Sequence, residues 1–161
     1  MVHLDGGTTI VGDQLLVAAG RKPRTAELGL ETVGLEPGAW LWVDDTMAVE
    51  GVDGTCLYAA GDLNHRALLT HQGKYQARVC GDAIVARSGG ALDVSDWSAH
   101  QATADHTAVP QVVFTDPEVA AVGRTKAQAR DEGLPVRAVD YPLGSVAGSA
   151  LHADQYRDTL G

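Results

Sequence analysis

Thr55-Cys-Leu-Tyr-Ala-Ala-Gly-Asp62, followed by Arg66-Ala-Leu-Leu-Thr-His-Gln-Gly73, is the stretch from which the rest of the chain is read. Cys56-Leu-Tyr-Ala-Ala60 is a short apolar run between turn residues, which predicts a buried strand. It stops at Gly61-Asp62. A glycine there lets another backbone or a ligand come close. The Asp62 carboxylate then sits at the carboxyl end of a strand, where open α/β sheets bind their ligands. It only accepts hydrogen bonds, which suits a sugar or sugar-alcohol hydroxyl. As a dipeptide alone, Gly61-Asp62 is equally an ordinary turn.

Beyond the turn, Thr70 to Arg87 predicts a helix. Tyr75, Val79 and Ala83 recur at a spacing of four, and Ala77, Cys80, Ile84 and Arg87 follow at three and four. Thr70 reads as its N-cap. Free N–H groups at its start favour an electron-rich ligand atom near Asp62. Gly81 inside the helix costs about 1 kcal/mol against alanine, which suggests close helix–strand packing as its reason.

Upstream, Val2-His3-Leu4 and Thr9-Ile10-Val11 flank a glycine turn and read as a hairpin. Gln14-Leu-Leu-Val-Ala-Ala19 reads as a strand buried on both faces, ending at Gly20-Arg21-Lys22-Pro23. Residues 24–54 are rich in loops, with a short helical turn after Thr25 and a strand at Trp40-Leu-Trp-Val43 before Asp44-Asp45. Trp40 and Trp42 share a face under strand periodicity and are read as packing residues. Downstream, 89–108 is small, polar and acidic and reads as a linker docked by Trp97. Val109 to Pro117 and Glu118 to Gly123 read as two strands. Thr125 to Glu132 reads as a helix capped by Thr125 and ended by Gly133. Val136 to Tyr141 alternates like a strand beside solvent.

Composition excludes several classes. The 161 residues are 45 % hydrophobic and 20 % charged, an ordinary globular mixture. Acidic residues outnumber basic ones 21 to 12, a formal charge of −9, with no basic patch to follow a phosphate backbone. Nucleic acid is therefore not an expected partner. No apolar run approaches a membrane span. Met1-Val-His-Leu-Asp5 lacks a signal peptide's charged and apolar regions, so the expected location is the cytoplasm. Cys56 and Cys80 are too few and too far apart for a disulfide framework or zinc site, and both read as inert packing thiols. His65 and His71, and likewise His100 and His106, are six apart, which does not give the usual metal-binding pair on a helix. No metal is expected.

The string Thr55-x-x-Tyr-Ala-Ala-Gly-Asp62 with Ala67-Leu-Leu-Thr70 resembles the second flavin-binding motif of the pyridine nucleotide-disulfide oxidoreductases, the family of glutathione reductase, dihydrolipoamide dehydrogenase and mercuric reductase. Leu15-Leu-Val-Ala-Ala-Gly-Arg-Lys-Pro-Arg-Thr25 resembles the end of that family's nicotinamide-nucleotide domain. Val109-Pro-x-Val-Val-Phe-Thr-Asp-Pro-Glu-Val-Ala-x-Val-Gly-x-Thr125 resembles the opening of its C-terminal dimerisation domain.

The resemblance implies an α/β fold, α+β in its C-terminal part: a fragment of a flavoprotein with two dinucleotide-binding domains and a mixed-sheet dimerisation domain. Residues 1–24 would close the NAD(P)-binding domain and 25–88 would form the C-terminal segment of the FAD-binding domain. Residues 89–108 would be the linker, and 109–161 an incomplete dimerisation domain through which a homodimer forms. It also implies FAD and NAD(P)H as cofactors. Gly61, Asp62, Leu69 and Thr70 would face FAD, with Asp62 on the ribityl hydroxyls and the Thr70 amide on the pyrimidine edge. Gly20, Arg21, Leu68 and Val112 would lie near NAD(P).

The family's Gly-x-Gly-x-x-Gly motifs, redox Cys-x4-Cys and His-x4-Glu pair are absent from these 161 residues. No residue of the chain is therefore expected to be catalytic. The expected function is part of an FAD-dependent NAD(P)H oxidoreductase of the disulfide-reductase type, with no turnover by this chain alone. The alternative is a non-catalytic dimerising module without cofactor. A flavin electron carrier of the ferredoxin-reductase type is a third reading. It shares the Gly-Asp motif but not the string from Val109 to Gly123.

Overall fold

In a computed structural model, residues 1–116 and 118–152 are described. The core lies in the middle of the chain and is built on a small meander rather than a wide sheet. Val43 bridges Val49, and Ala48 bridges Tyr58, both antiparallel. Val49 N–H donates to Leu57 O at 2.9 Å, and Ala59 N–H to Met47 O at 3.0 Å. The first turn of the meander is set by Asp44. Its Oδ1 accepts from Thr46 N–H (2.8 Å), Thr46 Oγ1 (2.7 Å) and Ala48 N–H (3.1 Å), the local bonding that makes aspartate a turn residue.

Two apolar clusters fill the space around this meander. Leu30, Leu41, Val49 and Ala59 form one, with Leu35, Leu57 and Leu63 against it. Met47, Val79 and Ala102 form the other, with Tyr75 and Cys80 beside them. Helix α1, Thr70–Ser88, lies over the second cluster and buries Gln72, Gln76, Val79 and Ala83, one stripe at helical spacing. The period is as expected from the sequence, but the buried face begins with two glutamines.

Around this centre are short elements. Strands β1 (Val2–His3) and β2 (Thr9–Ile10) pair as the expected hairpin, with Gly6 and Gly7 both at positive φ. Helix α2, Ala104–Thr107, follows α1. Strands β3 (Gln111–Val113) and β4 (Val119–Ala121) pair antiparallel. Helix α3, Lys126–Asp131, starts at a full capping box between Thr125 and Gln128. Helix α4 spans Ser149–His152.

Several sequence expectations need correction. Gln14 to Ala19 forms no strand, and its residues Leu15, Leu16 and Val17 are 72, 89 and 73 % exposed. An apolar run becomes a strand only beside a ladder partner, and among the described residues none pairs with it. Val136 to Tyr141 likewise forms no strand and is exposed. Cys56 to Ala60 contributes one bridge, at Tyr58; Ala59 is buried but Cys56 is exposed. Of the Trp40–Val43 segment, Leu41 enters the core while Trp42 stays exposed. Trp97 is exposed too, and Ala102, fully buried, docks the 89–108 segment instead. Leu69, not Thr70, is the N-cap of α1, and an apolar side chain leaves the cap bond unmade. Gly81 faces open space, so it marks no close contact. The last nine residues of the expected 109–161 unit lie outside the described residues.

Candidate functional site

The turn at Gly61 is where the meander meets α1. Gly61 has φ 85° and ψ −158°, a conformation open essentially to glycine alone. A Cβ placed on Gly73, in the first turns of α1, would lie 3.3 Å from the Gly61 Cα. The two glycines therefore let the turn and the helix start touch backbone to backbone. Gly61 was singled out in the sequence for this kind of approach; Gly73, its partner, was not.

Asp62 begins a short 3-10 turn, Asp62–Asn64, and its carboxylate is ion-paired with the Arg21 guanidinium. Both side chains are about half exposed. Arg21, Asp62 and Trp40 line one open cavity of about 380 Å³. Residues assigned by resemblance to two different cofactors are thus neighbours here. Gly20, at φ 121°, stands exposed just before this pair. His65, in the left-handed region at φ 60°, places its ring 4.3 Å from that of Trp40.

The start of α1 carries no side-chain cap, so the N–H groups of its first turn point outward without an intrahelical acceptor. Leu68 and Leu69 are half-buried and line a larger cavity of about 500 Å³ with Val109, Gln111 and Arg66. Val112 is exposed on β3, next to Gln111. His71 Nε2 bonds Pro110 O at 2.9 Å, which ties the first turn of α1 to the approach to β3.

Beneath these lies a polar network that sequence reading did not find. Asp105, with its side chain 1 % exposed, accepts from Gln72 Nε2 and Gln76 Nε2, each at 2.8 Å, and pairs with Arg66 Nε at 3.3 Å. Gln76 Oε1 accepts from Gly61 N–H at 2.7 Å and from Asn64 Nδ2 at 2.9 Å. Arg66 also pairs with Asp45, which His106 Nε2 reaches at 2.7 Å. Burial pushes the Asp45 carboxyl up, but the bonds and charges of Arg66 and His106 outweigh it and hold it below its ordinary value. Glutamine at buried positions of a helical stripe is the one signal that could have revealed this network. Among the described residues no cluster of histidine, cysteine and acidic side chains could hold a metal ion.

Residues 109–159 match the pyridine nucleotide-disulphide oxidoreductase dimerisation domain. Dihydrolipoyl dehydrogenase of Staphylococcus aureus is 36 % identical over 154 residues, 95 % of this chain and 29 % of the relative. That of Geobacillus stearothermophilus is 34 % identical over 143 residues, 85 % of this chain and 26 % of the relative. Among solved structures, the HOCl-induced flavoprotein disulfide reductase RclA of Escherichia coli, as a Cu(II) complex of a cysteine-to-serine mutant, superposes with a TM-score of 0.62 at 28 % identity. That match covers 89 % of this chain and 30 % of RclA. A meander, a glycine turn against a helix start and a following antiparallel hairpin therefore define a portion of a flavoprotein disulfide reductase fold.

The chain is thus similar to part of the pyridine nucleotide-disulfide oxidoreductases, with residues 109–159 matching the dimerisation domain of that family. It spans between a quarter and a third of the length of these relatives.

Proposed function

We infer that this chain supplies one wall of an FAD site in an NAD(P)H-dependent disulfide reductase. The observation that carries this reading is the close backbone packing of Gly73 on Gly61, so tight that a Cβ on Gly73 would lie 3.3 Å from the Gly61 Cα, which sets an acceptor carboxylate beside an uncapped helix start. The residues fit the group. Asp62 can accept from ribityl hydroxyls, and the Leu69–Thr70 amides can donate to an electron-rich ring edge. FAD, when bound, supplies the two-electron chemistry between NAD(P)H and a disulfide or other acceptor. The chain's own part is to hold hydroxyls at Asp62 and to stabilise negative charge at the start of α1.

In this reading residues 1–24 close the NAD(P) domain, with Gly20, Arg21, Leu68 and Val112 on the nicotinamide-nucleotide side. Residues 25–88 belong to the FAD domain, 89–108 link, and 109–161 begin the surface through which two copies pair in the cytoplasm. No helix among the described residues is long and apolar enough to cross a membrane. The 161 residues carry neither a Cys-x4-Cys nor a His-x4-Glu, so turnover by this polypeptide alone is not expected.

The test is titration of the purified chain with FAD, followed by flavin fluorescence, and an NAD(P)H oxidation assay on the same sample. Weak, saturable quenching that Asp62→Ala abolishes, without NAD(P)H oxidation, is the expected result. Robust oxidation with added FAD would overturn the inactivity. A concentration-dependent dimer with no quenching would favour the second reading, a dimerising module without cofactor, which the dimerisation-domain match at 109–159 supports.

A further inference from the structure

Asp105 is a buried carboxylate to which the flavin reading gives no role. It lies on α2, outside the meander, yet three donors from the turn and α1 converge on it: Gln72 Nε2, Gln76 Nε2 and Arg66 Nε. A carboxylate accepts and cannot donate. It therefore turns the amide NH2 of Gln76 toward itself and leaves Gln76 Oε1 pointing the other way. There the oxygen meets two donors, Gly61 N–H and Asn64 Nδ2. Asn64 is held in its own orientation by donating to Ala59 O at 3.1 Å and accepting from Arg66 N–H at 3.1 Å. Among the described residues no buried side-chain polar atom lacks a partner.

Gly61 is free of side-chain constraint and could take several conformations. The bond to Gln76 selects one of them. We propose that Asp105, acting through Gln76, is the positioning residue that sets the Gly61–Asp62 turn and so the direction in which the Asp62 carboxylate faces its ligand. That the ligand is a flavin rests on the reading above; the setting of the turn does not.

The donor and acceptor pattern yields a specific exchange of residues. In Asp105→Asn, the new NH2 faces the Gln76 NH2, donor against donor. Gln76 can relieve this only by flipping, which then sets its NH2 against Gly61 N–H. Unflipped, Gln76 keeps its oxygen toward Gly61 but loses the acceptor that held its NH2; flipped, it loses the bond to Gly61, so the protection of Gly61 falls in both cases. Adding Gln76→Glu restores acceptors on both sides: the side chain at 76 accepts from Gly61, from Asn64 and from the amide at 105.

The experiment is amide hydrogen exchange of Gly61, read by NMR in the whole 161-residue chain without flavin, with FAD titrated into the same samples. Gly61 should exchange about tenfold faster in Asp105→Asn, as for a half-buried donor left unpaired, while amides in the second half of α1 keep their rates. The double variant Asp105→Asn/Gln76→Glu should return Gly61 to within about twofold of the wild type. An unchanged Gly61 rate in a folded Asp105→Asn chain overturns the proposal, whatever FAD does. If that variant fails to fold, the double variant decides: a protected Gly61 upholds the proposal and an exposed one overturns it. Wild type that binds no FAD, with Gly61 responding as stated, removes the flavin reading and leaves the positioning role standing.

Discussion

Arg21 and Asp62, 41 residues apart in sequence, form an ion pair at the mouth of an open cavity. Their side chains are 57 and 47 % exposed, so water competes for both charges. A pair of that kind is worth about 0–1 kcal/mol, and removing one partner costs far less than it does in a buried pair. The pairing therefore leaves the Asp62 carboxylate available to a ligand at little cost. Arg21→Ala should change stability by less than about 1 kcal/mol in urea unfolding. A loss of about 3 kcal/mol or more would mean that the pair is shielded and structural.

Gly73 and Gly81 lie in the same helix and should respond oppositely to alanine. Each gains about 1 kcal/mol of helix propensity on substitution. At Gly81 a new Cβ meets open space, so Gly81→Ala should stabilise by roughly 0.5–1 kcal/mol. At Gly73 it meets the Gly61 backbone at 3.3 Å, and Gly61 is already held by Gln76. The turn must shift or the helix must lift, so Gly73→Ala should be destabilising despite its propensity gain. Thermal melts of the two variants, side by side, check this. Equal stabilisation by both would show that the contact yields freely.

What was legible in the sequence was what local chemistry decides. Helix α1 forms where periodicity places it, the helix after Thr125 where capping places it, and the N-terminal hairpin at its glycine turn, although α1 lacks the Thr70 cap. Positions that depend on a distant partner were not legible. Gln14 to Ala19 has the composition of a buried strand and no strand beside it. Asp105 sits in a stretch whose small, polar residues look like a linker, and its meaning comes only from two glutamines some thirty residues upstream. Gly61 could be marked as a point of close approach, but nothing in the sequence says that Gly73 makes it. For the candidate site, Gly61, Asp62, Leu68, Leu69 and Thr70 lie at the turn and the helix start, while Gly20 and Arg21 belong to an exposed loop and Val112 to β3; the network beneath them depends on contacts far apart in sequence.

Asp45 should give acid unfolding a recognisable signature. Its carboxyl is held below the ordinary carboxylate value because Arg66 and His106 favour the charged form more than burial opposes it. A depressed folded pKa contributes stability above the unfolded value of about 3.9, and that contribution is lost as pH falls through the lower folded value. Wild type should therefore exceed Asp45→Asn in stability at neutral and mildly acidic pH, and the gap should close below about pH 4. Urea midpoints of both chains across pH 3 to 7 check it, those pH limits being about one unit below and three above the same reference value. A gap that stays constant over that range would mean that the carboxylate's charge is not what stabilises the turn.

The two cysteines should separate cleanly by reactivity. Both read from sequence as buried, inert thiols, but the structure divides them. Cys56 is exposed at the end of a 3-10 turn, where its thiol reaches Asp53 O at 3.6 Å. Cys80 lies on α1 beside Met47, Val79 and Ala102, and burial pushes its thiol up while the nearby Arg87 charge only partly opposes this. Since the thiolate is the reactive form, low exposure and a raised pKa both slow Cys80. Iodoacetamide at neutral pH should label Cys56 first, and Cys80 should be modified only as the helix opens, with urea bringing the two rates together. Peptide mass mapping over a time course distinguishes them. Equal rates in the native chain would mean that α1 does not cover the Met47 cluster, and the contact between helix and meander would have to be redrawn.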